Sequence, residues 1–231
     1  MKLSEINPTP LYDVTIPSTQ KRVKYRPFFV KEERALLAAY ESEDVNVMLN
    51  TLTMVVKNCL NETINSLTSF DIEYLFIQIR AKSVGEFTTL NFTCPACEKV
   101  TPMSVDIRAA EVTGLNKNPI VVLSDNLSVK MKYPSIEDLL SLEKNENSSD
   151  VVQTILTSCM ETIFIDSEAL NVEEESGTEL MAFTERLSSK QYKQLEEFIL
   201  STPTVELGIN WVCPGCKNKN ETLLTGLTSF F

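Results

Sequence analysis

Residues 91–97 read Asn-Phe-Thr-Cys-Pro-Ala-Cys, and residues 210–216 read Asn-Trp-Val-Cys-Pro-Gly-Cys. Both stretches have an asparagine, an aromatic residue, one spacer and then Cys-Pro-x-Cys. A two-residue spacer lets both thiolates of a tight turn face one ion. Two such turns supply the four sulfurs of a tetrahedral zinc site, with bonds of about 2.3 Å. Cys94, Cys97, Cys213 and Cys216 are therefore the candidate metal ligands, holding one structural zinc per chain. Residues 98–212 separate the pairs, far more than the roughly 15–20 of a compact ribbon. Loop-closure entropy grows only logarithmically with length, so a ribbon split by a folded insert is physically reasonable.

Cys-Pro-x-Cys also occurs in thiol-disulfide chemistry, but there the first cysteine opens a helix that stabilises its thiolate. Here each knuckle lies between extended segments: EFTTLNFT (86–93) and KVTPMSVDI (99–107) for the first, TVELGINW (204–211) and ETLLTGL (221–227) for the second. Two separate sites, a different metal, or plain buried thiols are the other readings of the four residues. Phe92 and Trp211 are expected to pack over the knuckles. Cys59 and Cys159 each fall on an apolar helical face and read as core thiols.

Outward from the knuckles, the periodicity changes several times. Val14 and Ile16, then Val23 and Tyr25, alternate around a Pro-Ser-Thr-Gln turn, which predicts an N-terminal β-hairpin. Apolar residues spaced by three and four predict helices over Glu32–Glu41, Glu43–Leu60 and Phe70–Lys82. After the first knuckle, PIVVLS (119–124) and LSVKMKY (127–133) read as strands joined by an Asp125-Asn126 turn. Ser135 with Asp138 forms a capping-box pattern. Asp150 is expected to cap a helix carrying Val152, Ile155, Leu156, Cys159 and Ile163 on one face. Residues 166–179 hold six acids and no base and read as a loop. Ser176 with Glu179 opens a helical stretch near 179–188, and a second covers 189–201.

The expected fold class is therefore α+β: a mostly helical module inserted into a small antiparallel β zinc-ribbon-like unit, with an N-terminal β-hairpin. The expected regions are 1–30 (extended hairpin), 31–84 (helical), 85–134 with 204–231 (split ribbon), and 135–203 (helical with the acidic loop).

Composition narrows the function. The 231 residues are 43% apolar, enough for a core in one domain or two small ones. No apolar run approaches 18 residues, so no membrane span is expected. The start, MKLSEINPTPLYD, has no secretory pattern, so the six cysteines are expected in a reducing cytoplasm, unpaired by disulfides. The net charge of −11 argues against nucleic acid, whose binders need a cationic surface. There is no histidine, which excludes Ser-His-Asp and Cys-His catalysis. No GxGxxG or GxxxxGK[ST] cradle occurs. The chain reads as a binding protein and not as an enzyme. Lys21, Arg22, Lys24, Arg26, Lys31 and Arg34 form a basic segment, either a solvated strand face or a docking patch. In the second reading, Arg26→Glu weakens partner binding more than folding. Phe230 and Phe231 anchor either in the fold or in a partner.

The chain resembles the T4-like bacteriophage baseplate hub proteins. KYRPFFVKEERALLAAYES (24–42), SFDIEYLFIQIRAKSVGE (69–86), the two knuckles and the terminal LTGLTSFF (224–231) carry the resemblance. It implies a structural component or assembly factor of the central hub of a contractile-tail baseplate. The implied partners are other phage hub proteins, with no nucleic acid and no membrane. The implied locations are the host cytoplasm during assembly and the tail baseplate of the virion. A zinc-ribbon regulator that binds a polymerase or nucleic acid is the competing function, but only Lys217 and Lys219 add positive charge around the second knuckle.

Overall fold

Alternating apolar residues at the N-terminus pair as the period of two requires. Strands β1 (Tyr12–Thr15) and β2 (Arg22–Tyr25) form an antiparallel hairpin with Val14 opposite Val23. The structure is a computed structural model that describes residues 9–64, 66–116, 118–136, 138, 148–166 and 168–226. It divides into two units, one built from residues up to 65, 70–113 and 204 onward, the other from 66–69 and 114–203.

In the first unit, three helices follow the hairpin: α1 (Val30–Glu41), α2 (Val45–Cys59) and α3 (Ser69–Ser83). Asp44 caps α2 by accepting from the backbone N–H groups of Asn46 and Val47, satisfying donors that the first turn leaves open. Helix α3 is enclosed on most of its circumference, with Ile72, Leu75, Phe76, Ile77 and Ile79 buried and Glu73, Gln78, Arg80 and Lys82 only partly covered. The hairpin turn is fastened to α3, because the N–H and Oγ of Ser18 donate to the buried Asp71 carboxylate at 2.9 and 2.6 Å. Two antiparallel elements then carry the knuckles. One is the hairpin β3 (Phe87–Thr93) and β4 (Val100–Asp106). The other is a three-stranded sheet in the order β11 (Lys219–Thr225), β10 (Thr204–Val212), β5 (Glu111–Thr113).

The second unit departs from the expected helical insert. It contains a four-stranded antiparallel sheet in the order β6 (Ile120–Ser124), β7 (Leu127–Met131), β8 (Met160–Ile165), β9 (Glu168–Asn171). It also contains α4 (Ser148–Ser158), α5 (Gly177–Glu185) and α6 (Ser189–Leu200). Val129, Met131, Leu156, Cys159, Leu195 and Phe198 form its core. Strands β6 and β7 thus belong to this sheet and not to the ribbon region 85–134. Ile163 lies opposite Val129 in the sheet, although it stands four residues after Cys159 and fits a helical stripe equally well. The β-branched and aromatic run Thr162-Ile-Phe-Ile165 favours the strand.

The acidic stretch is not a plain loop. Glu168–Asn171 is an edge strand, Val172–Glu174 a short 3-10 turn anchored by buried Val172, and Ser176 caps α5 by accepting from the Glu179 N–H. Its acids point to water from ordered elements, as charged edge strands commonly do. Helix α4 begins at Ser148, so Asp150 lies inside its first turn and not ahead of it. The Ser135–Asp138 exchange is present, with Ser135 N–H and Oγ donating to the carboxylate at 2.9 and 2.7 Å. Most of the short helix expected after it lies outside the described residues. Among the described residues, no helix is long and apolar enough to cross a membrane.

Candidate metal centre

The two Cys-Pro-x-Cys turns fold identically. In the first, Cys94 N–H donates to Lys99 O at 3.0 Å and Glu98 N–H to Cys94 O at 2.8 Å. In the second, Cys213 N–H donates to Asn218 O at 2.9 Å and Lys217 N–H to Cys213 O at 3.0 Å. Each turn directs backbone N–H groups at the sulfur of its first cysteine. The N–H groups of Cys216 and Gly215 pull the Cys213 thiol down to about 6 against the effect of its enclosure. For Cys94, enclosure opposes the thiolate, but the N–H groups of Ala96 and Cys97 outweigh it and lower its value. Cys97 receives one such bond, from Lys99, yet the neighbouring sulfurs of Cys216 and Cys213 raise it to about 11.

The structure brings the four sulfurs together. Cys94 Sγ lies 3.7 Å from Cys216 Sγ, and Cys97 Sγ lies 3.6 Å from Cys213 Sγ. All four ligand atoms fall within 4.8 Å of one another. Four sulfurs about 2.3 Å from a tetrahedral centre stand about 3.8 Å apart, so the spacing fits one ion. It is far from the roughly 2.05 Å of a disulfide. Cys94 and Cys213 are buried, while Cys97 and Cys216 are exposed. Four thiolates form a soft, closed ligand set of the structural kind, with no position left for a reactive water. Among the described residues no other group of three or more potential ligands converges in this way.

Neighbouring residues hold the turns in place. Phe92 and Trp211 are both buried, with ring centroids 5.7 Å apart, and Trp211 Nε1 donates to Thr222 Oγ1 at 3.0 Å. A Cβ at Gly215 would stand 3.0 Å from Lys99 Cδ and 3.6 Å from Cys213 Sγ. Asn220 Nδ2 approaches Cys94 Sγ at 3.9 Å. The composition of the motif marked Phe92 and Trp211, but nothing in it marked Asn220 or Gly215. Nor did it mark Glu98 and Lys217, which adopt φ of 57° and 63°. The turn needs a left-handed residue directly after each second cysteine, where glycine carries no steric cost. Lys217→Gly is therefore expected to stabilise the protein by up to about 1 kcal/mol. Thermal melting should show a rise of a few degrees; an unchanged or lower midpoint would contradict a strained knuckle.

The other sequence candidates fall into place differently. Cys59 and Cys159 are enclosed thiols that burial pushes up to about 11 and about 12. The basic segment is largely engaged within the fold: Lys21 pairs with Glu62, Arg22 with Asp13 at 3.3 Å, and Arg26 with Glu32 at 2.9 Å. Phe230 and Phe231 lie outside the described residues.

Four cysteine sulfurs from two strand-flanked turns thus lie at the spacing of a structural metal site. The chain belongs to the family of T4 bacteriophage base plate proteins, which matches residues 9–231. It is 26% identical over 220 residues to Baseplate hub assembly protein gp26 of Enterobacteria phage T4, a match that covers 95% of this chain and 96% of that protein. No solved structure gives a significant match.

Proposed function

We propose that this protein builds or helps to assemble the central hub of a contractile-tail baseplate, acting through contacts with other hub proteins. The observation that carries this reading is the end-to-end match to a hub assembly protein. Cys94, Cys97, Cys213 and Cys216 hold one structural zinc that ties the β3–β4 hairpin to the β10–β11 hairpin. Neither nucleic acid nor a membrane is a partner in this reading, in keeping with the net charge of −11. The protein acts in the host cytoplasm while tails are being assembled.

A phage lacking the gene tests the proposal. Infected cells are expected to accumulate incomplete baseplates while heads still form, and plaques should return when the gene is supplied from a plasmid. Hub complexes separated on a gradient report the same step directly. Normal infectious tails from the null phage would overturn the reading.

A further inference from the structure

Helix α3 carries the partly buried charged side chains of Glu73 and Arg80. Glu73 and Arg80 are seven residues apart, so they share one face of the helix and stand about 10 Å apart along its axis. Among the described residues neither forms an ion pair or a side-chain hydrogen bond, and only burial displaces their ionisation, raising Glu73 and lowering Arg80. Each borders a largely apolar groove of the first unit. Glu73 lies beside Val45, Met48 and Leu49 of α2, with Glu41, Glu43 and Asp44 on the same rim, so this end of the face is acidic. Arg80 lies beside Leu37 of α1 and Val84, with Glu33 also on the rim but, among the described residues, not paired with it. Val45, Leu37 and Val84 are 70%, 57% and 62% exposed, and together they line neighbouring grooves and are not scattered singly.

We propose that this face of α1, α2 and α3 receives an amphipathic helix of a partner protein. Its apolar stripe lies in the grooves, with one basic side chain meeting Glu73 and one acidic side chain meeting Arg80, about two turns apart. Helix-in-groove recognition of this kind anchors residues one or two turns apart. The two charges select the occupant, because covering either without a counter-charge leaves an unpaired ion away from water. Gly226 borders the Glu73 groove, but residues 227–231, LTSFF, contain no charged side chain and so supply no base to Glu73. The inference rests on the reading of this protein as one that works through partner contacts. It is tested on purified protein, so its failure leaves the null-phage result untouched.

Three labelled helical peptides with the same leucine stripe differ only at two positions seven residues apart: Lys with Glu, Lys with Lys, and Glu with Glu. Fluorescence anisotropy with the full chain is expected to show the mixed peptide binding about tenfold more tightly than either like-charged one. Glu73→Lys should shift the preference to the Glu-Glu peptide, and Arg80→Glu to the Lys-Lys peptide. Melting curves establish that each variant is folded. Should either reversal unfold the chain, Glu73→Gln and Arg80→Gln replace them and should each abolish the preference at their own position. Equal binding of all three peptides, or binding of none, overturns the proposal. So does charge-independent binding that emerges only when residues 227–231 are removed, which would make that segment the occupant.

Discussion

Replacing Cys213 by serine is expected to cut the zinc content from about one ion per chain to well under half, and to lower the melting temperature by roughly ten degrees. Serine substitutes a hard hydroxyl for a soft thiolate that zinc favours. It also leaves Cys94, Cys97 and Cys216 gathered around a point that Cys213 no longer completes, their ligand atoms within 4.8 Å of one another in the native fold. The loosened part should be the strands that carry the knuckles. Helical circular dichroism should survive, because the interior around Leu52, Val56, Leu75 and Ile79 is buried by the helices themselves. In the proposed reading the ion would clamp a fold with its own core, unlike a small finger that exists only with metal. Elemental analysis of protein kept reduced, with thermal melting of both forms, checks the expectation. Zinc-free wild-type protein, or a Cys213→Ser variant that melts like it, would sink it. Complete loss of helix signal would show that the clamp is in fact the foundation.

Charge reversal at Arg26 is expected to cost about 3 kcal/mol or more of stability, which turns the docking-patch expectation for this residue into a folding one. The guanidinium donates to Glu32 Oε1 at 2.9 Å, to Pro27 O at 2.9 Å and to Asn58 O at 3.2 Å, and lies 4.1 Å over the Phe29 ring. Glu32 is 3% exposed and accepts from the Phe29 N–H at 2.7 Å. Arg26→Glu would therefore set a second carboxylate against one that is already buried. The pair also sets a pH dependence. Burial opposes the Glu32 carboxylate, but the Arg26 hydrogen bond and the Phe29 N–H outweigh it and hold the group below its usual value. A carboxylate whose folded value is depressed contributes fully above its unfolded value, about 4.3, and loses that contribution as pH falls through the folded one. The stability difference between wild type and Glu32→Gln, from urea unfolding, should hold steady above about pH 5 and shrink at lower pH. A difference that is flat down to pH 3, or an Arg26→Glu variant as stable as wild type, would show that the pair is idle.

Much of the first unit could be read in advance because its signals are local. The stripes of α2 and α3 and the alternation at Val14, Ile16, Val23 and Tyr25 each lie within one element, and burial agrees with them except at the start of α2, where Val45 is exposed. The second unit resisted because its signals overlap. Leu156, Cys159 and Ile163 satisfy a helical spacing, yet the chain leaves the helix at Ser158 and enters β8 at Met160. Glu168–Asn171 has no apolar alternation, since an edge strand exposed along its whole length needs none. Its strand character comes from hydrogen bonds to β8, and a pairing partner is not a property of four residues.

The amino-acid sequence by itself determined which residues could hold a soft metal, that no histidine chemistry operates, and where most helices begin and end. All of these follow from residue type and near-neighbour spacing. The tertiary structure alone decided that Cys94 meets Cys216 and Cys97 meets Cys213, because residues that far apart are brought together only by the strands that end at each knuckle. It alone decided that Arg26 belongs to a buried pair while Glu73 and Arg80 do not, because whether a charge finds its counter-charge depends on how helices pack, and the periodicity of one helix does not contain the position of the next.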